Sequence, residues 1–126
     1  MALTYSAPAA ATITLDGLAN HTRAISTAID NSTTLFNQLH IMITLNATVV
    51  VEDGDVAVGV LNSLDGSTFS TMMASPTLVK QLAPNTPHVY FCVINNLAPY
   101  FQLCVRNVTG GPLGTGNSIS YIGINH

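Results

Sequence analysis

The residues able to do chemistry in this chain are few, and their spacing matches no common catalytic arrangement. Carboxylates cluster once, as Glu52-Asp53-Gly54-Asp55. Hard cations favour such clusters, but a calcium loop needs spaced ligands and a distal Glu that this segment lacks. An Asp-Gly pair between apolar runs is instead the chemistry of a solvated hairpin tip. The histidines, His21, His40, His88 and His126, are scattered, with no two at ligand spacing on one element. Zinc and iron sites usually show such a local pair, so no metal is expected, although three His can converge from distant strands of a jelly roll. The chain contains no Gly-x-Ser-x-Gly, His-Glu-x-x-His, glycine-rich phosphate loop or Cys-x-x-Cys. The expectation is a protein that is not an enzyme and uses no cofactor.

Two cysteines and four Asn-x-Ser/Thr sequons complete the list. If residues 88–94 and 100–106 form an antiparallel pair, Cys92 lies opposite Cys104, on the face that carries Tyr90, Gln102 and Arg106. A disulfide there is possible but strained, and free thiols are favoured if the chain folds in a cytoplasm. The sequons at Asn20, Asn31, Asn46 and Asn107 follow no secretory signal, since residues 1–8 lack a basic and apolar leader. They read as a product of Asn- and Thr-rich composition.

The elements that must carry these residues are strands, because the apolar period is two. Leu39, Ile41, Ile43 and Leu45 alternate with His40, Thr44 and Asn46, giving one buried face. Val56, Val58 and Val60 resume after Asp53-Gly54, so residues 47–62 read as a hairpin. Leu64-Asp65-Gly66-Ser67 is a second turn, leading into Thr68–Met73 and, past Pro76, into 77–81. Val89, Phe91 and Val93 share one face and Phe101, Leu103 and Val105 another; pairing Phe91 with Val105 makes the two faces coincide. Ser118–Ile124 is a last strand, and residues 18–36 read as a long loop entering an extended segment, with at most one helical turn. Seven or eight strands with Gly, Pro and Asn turns describe an all-β chain, a single antiparallel β-sandwich of jelly-roll-like form. Residues 1–14 have too little bulk for a core element and are expected as an arm on a neighbouring subunit, with 15–126 as the sandwich.

Only 7% of the 126 residues are charged against 48% hydrophobic, with a formal net charge of −3. An ordinary soluble domain carries about 25% charged residues. The cations are Arg23, Lys80 and Arg106, too few and too dispersed to neutralise phosphates, so neither nucleic acid nor an anionic membrane is expected as a partner. No apolar run reaches membrane length. A surface so poor in charge suits close packing against other subunits, because interfaces are depleted in charge. Asp30 and Asn31 read as turn-holding residues ahead of a strand. Arg106 is expected to pack beside Tyr90 or to meet an acid on a neighbour.

Leu18 to Leu35, with Arg23, Ser26 and Ile29-Asp30-Asn31-Ser32, resembles the N-terminal signature of small virion structural proteins of tailed bacteriophages. Leu97-Ala98-Pro99-Tyr100, Val105-Arg106-Asn107-Val108-Thr109-Gly110, Leu113 and Tyr121-Ile122-Gly123-Ile124-Asn125 are similar to the same proteins. The resemblance covers the two ends of the chain and is weaker in the middle. It implies a compact β-sandwich made in the host cytoplasm and carried on the outer capsid surface as a decoration or cement protein bound to the major capsid protein. It also implies a homo-oligomer, trimers at local three-fold axes being common among such proteins. Other virion parts, a neck, tail or baseplate component, are the alternative, and a carbohydrate-binding sandwich is weaker because the chain has no Trp. On this reading Leu3, Tyr5, Arg23, Tyr100 and Arg106 are the candidate interface residues.

Overall fold

The computed structural model describes residues 4–51, 54–80 and 83–125, with Ser75 by its backbone alone. All regular structure among them is strand: β1 Thr4–Tyr5, β2 Ala9–Ala10, β3 Thr22–Ile25, β4 Ile29–Asp30, β5 Gln38–Leu45, β6 Asp55–Ser63, β7 Ala74–Lys80, β8 His88–Asn95, β9 Tyr100–Val108 and β10 Ser118–Asn125. They form two antiparallel five-stranded sheets. The first runs β1-β10-β5-β8 with β2 also on β10, and the second β3-β9-β6-β7 with β4 also on β9. The all-β sandwich expected from the alternation is therefore present. A single helical turn forms in residues 18–36, closed by the Leu35 N–H on the Asn31 carbonyl at 2.9 Å, and goes no further because the Ser, Thr and Asn side chains compete for backbone hydrogen bonds.

The core lies between the sheets. From the first come Leu39, Ile41, Ile43, Leu45, Cys92, Ile94 and Ile119, and from the second Val56, Val58, Val60, Phe101, Leu103 and Val105, all buried. Each such Val, Leu, Ile or Phe contributes about 1.5–3 kcal/mol on burial, which is the main force holding the sheets together. β5 shows how the sequence sets this up, since its odd positions are buried and its even ones face outward. β10 meets β5 with Tyr121 opposite Ile41, and β8 with Cys92 opposite Ile41. Gly123 leaves room for Phe36, whose ring would stand 2.6 Å from any Cβ there.

Several connections differ from those read in the sequence. Residues 47–62 are not a hairpin: β6 pairs with β7 and β9, and the segment before it crosses from the first sheet to the second. Its apolar Val49 and Val51 stay exposed. β8 and β9 do not pair either, because β8 joins β5 and β9 joins β6. The five-residue loop that looked like a hairpin turn is also long enough to span the roughly 10 Å between stacked sheets. β8 is turned over as well, with Cys92 and Ile94 buried and Val89 and Phe91 exposed. Both its faces are apolar, so alternation alone left the choice open.

Residues 68–73 are loop, and β7 begins at Ala74 and runs through Pro76. A proline is tolerated there because β7 is an edge strand and its register with β6 shifts between Val58 and Val60. Residues 4–13, expected as an arm reaching a neighbour, lie along β10 of the same chain, with Ala11 and Ile13 packed on the core.

Candidate functional site

The first sheet presents an outer face without a charged residue among the described residues. β5 contributes Gln38, His40, Met42 and Thr44, β8 Val89, Phe91, Val93 and Asn95, and β10 Ser118, Ser120 and Ile122, in the register that sets Met42 between Phe91 and Ser120. Met42 is 47% exposed and Phe91 59%. The His40 ring meets Phe91 edge-on at 5.4 Å, and its Nε2 lies 2.8 Å from Gln38 Oε1. A hollow of about 220 Å³ runs between Pro8, Met42, Phe91 and Ile122. Phe91 was assigned to the core from sequence; its exposure follows from the inversion of β8.

The second sheet's outer face is different. Arg23 on β3 stands directly opposite Arg106 on β9, Arg106 opposite Ala57 on β6, and Ala57 opposite Leu78 on β7, one row across four strands. The segment before β7 lies along this row. Met73 crosses Gly59, where a Cβ would come within 2.3 Å of its Cγ, so glycine is required for the approach. Arg23 Nη1 donates to the Thr71 carbonyl at 2.8 Å and holds this segment in place. Between them lies a groove of about 720 Å³ that includes His21, Met72 and Pro76. Arg106 therefore cannot pack beside Tyr90, which sits on the other sheet and faces the core.

Of the remaining candidate interface residues, Leu3 lies outside the described residues. Tyr5 is exposed in β1, on the far edge of the first sheet. Tyr100 opens β9, half-buried, its ring against the Gly66 turn. The structure brings Arg23 and Arg106 together and leaves Tyr5 and Tyr100 apart from them.

Asp30 and Asn31 close one end of the sandwich. Asn31 is 5% exposed, its Oδ1 accepting Phe36 N–H at 2.8 Å and its Nδ2 donating to the carbonyls of Phe36 (2.9 Å) and Ala98 (3.1 Å). It thus ties the loop before β5 to the loop between β8 and β9. Asp30 accepts the Ser32 hydroxyl and N–H, which hold its carboxyl below the usual carboxylate range. Asn107, fully buried, does the same work at the other end, bonding Leu18 and Gly111 carbonyls and both donors of Thr109. These amides explain the Asn-rich composition more directly than the sequons do: Asn31 and Asn107 spend their side chains on backbone.

Cys92 and Cys104 are both free and buried, but in different sheets rather than opposite each other. Burial pushes both thiols up, and for Cys104 the adjacent Arg23 guanidinium offsets part of this. Among the described residues no three His, Cys, Asp or Glu side chains come together in a group that could hold a metal ion. His126, Glu52 and Asp53 lie outside them. No family model matches the chain, and no curated protein matches it.

Proposed function

We propose that this chain is a structural protein of a tailed-phage virion, a decoration or cement protein seated on the outer capsid surface against the major capsid protein. The observation that carries the reading is the uncharged outer face of the first sheet, where Met42 and Phe91 stand side by side, about half exposed. Large exposed apolar patches mark surfaces that a partner covers, and interface centres are depleted in charge. The assignment to a virion rests on the resemblance at the two ends of the chain.

A jelly-roll form of the sandwich belongs to this proposal and is supported by the strand order. β1 and β2 lie end to end on β10, and β3 and β4 end to end on β9. Counted as single interrupted strands, they leave eight, in the order first-eighth-third-sixth on one sheet and second-seventh-fourth-fifth on the other. That order matches the two interleaved Greek keys of a jelly roll, an architecture frequent in viral capsid domains and shared with lectins, and so supports the reading. A homo-oligomer, of the trimeric kind, completes the proposal.

Electron microscopy of the assembled particle tests it by position and copy number. Density for this chain repeated over the whole shell is expected. A few copies at one vertex or along a tail would move the chain to a neck, tail or baseplate role, and absence from the particle would refute the virion reading.

A further inference from the structure

The groove on the second sheet carries an inference independent of the virion reading. Arg23 and Arg106 are two of the three cations in the chain and are direct cross-strand partners. Like charges directly opposite each other on a sheet are destabilising, so the arrangement costs the free protein stability. Among the described residues no carboxylate lines the groove. The neighbouring carboxylate in the register, Asp55, stands one row away between Lys80 and Val108. Arg23 spends donors on the Thr71 carbonyl and on the Cys104 sulfur, whereas the Arg106 guanidinium makes no hydrogen bond among the described residues. Both arginines line the groove, and a guanidinium fork presents the planar donor geometry that carboxylates accept.

The other wall is apolar. Met72 is 80% exposed and Leu78 65%, and both line the groove with Pro76. A small hydrated anion would use the guanidiniums and leave these side chains bare. A polypeptide in which Asp or Glu neighbours an aliphatic residue would use both: the carboxylate between the arginines, the aliphatic side chain against Met72 and Leu78. We propose that the groove is a docking site for an acidic-aliphatic peptide segment of a partner protein, with Arg23 and Arg106 as the carboxylate-binding pair.

The test is an amide-resolved NMR titration of the isolated chain with the blocked peptide acetyl-Ala-Leu-Glu-Leu-Ala-amide, its Glu→Gln counterpart and inorganic phosphate. The Glu peptide is expected to shift amides of Arg23, Ala57, Met73, Leu78 and Arg106, with the Gln peptide weaker by about tenfold or more. Raising salt from about 50 to about 500 mM should weaken the Glu peptide alone, because the charges are solvent-accessible. Arg106→Gln should abolish the preference for Glu over Gln while the melting temperature stays level or rises, since a like-charge contact is removed. Arg106→Lys should restore part of the preference.

Equal binding of the two peptides, shifts centred elsewhere, or no localised shift at about 5 mM peptide would each overturn the proposal. So would phosphate shifting the same amides while the Glu peptide does not, which would make the groove a small-anion site. Particle imaging decides the virion reading separately, so either can fail alone.

Discussion

Replacing Asn31 by Ala tests whether one buried amide holds an end of this sandwich. Its side chain makes three hydrogen bonds to backbone, at 2.8, 2.9 and 3.1 Å, from a position 5% exposed. The main-chain bonds of Asn31, from its N–H to Pro99 and from Leu35 to its carbonyl, survive the substitution. What is lost is the partner of Phe36 N–H and of two carbonyls. At about 1 kcal/mol net for each bond, and more for a group left buried without water, the cost is about 3 kcal/mol. For a domain of this length that lowers Tm by about 10 °C. Asn31→Asp retains the acceptor for Phe36 N–H and loses both donors, so it should also be destabilising. Asp30→Ala, which removes bonds to Ser32 alone, should cost less than Asn31→Ala. Urea unfolding followed by tyrosine fluorescence measures all three, with an unchanged denaturant slope as the check that the same two states are compared. An Asn31→Ala chain within about 1 kcal/mol of the parent, or a larger loss for Asp30→Ala, would sink the argument that the amide and not the carboxylate is the tie.

Acid should destabilise the chain through three carboxylates. The Asn117 N–H lowers Asp16, the Ser32 hydroxyl lowers Asp30 and the Thr68 N–H lowers Asp65, so each folded form binds its proton less readily than the unfolded chain does. Their contribution is present above the unfolded value of about 3.9 and is lost as pH falls through the lower folded values. The urea midpoint should therefore decline below about pH 4, and a triple Asp→Asn variant should decline less; identical pH profiles would contradict this. Cys92 and Cys104, buried and raised, should resist a thiol reagent in the native state and react together on unfolding. Rapid native labelling of either would show that its cover opens, and an intact mass two hydrogens lighter would show a disulfide.

Legibility in the sequence followed locality. The buried faces of β5, β6 and β9 could be read from their alternation: His40 follows Leu39 and Thr44 parts Ile43 from Leu45, Gln102 parts Phe101 from Leu103, and in β6 the small Ala57 and Gly59 part Val56, Val58 and Val60. The turn at Asp65-Gly66 could be read because its bonds run within three residues. The Asp30–Asn31 turn was legible for the same reason, though not the reach of Asn31 to Ala98, sixty-seven positions away. β8 was not legible: with Val89, Phe91 and Val93 on one side and Tyr90, Cys92 and Ile94 on the other, either face would satisfy the period. Nor was the row from Arg23 to Leu78, since it joins four strands whose order no short-range signal encodes.

The sequence by itself determined that this chain is built of strands, that its core is aliphatic, and that its surface would be nearly bare of charge. Those properties follow from composition and from a period counted over neighbouring residues. The tertiary structure alone decided which strands pair, which side of β8 meets the core, and where the scarce cations fall. Pairing is a contest among distant segments with similar apolar faces, settled by how two sheets pack around one interior. The same packing that buried Cys92 put Phe91 outside, and the pairing of β3 with β9 set Arg23 against Arg106.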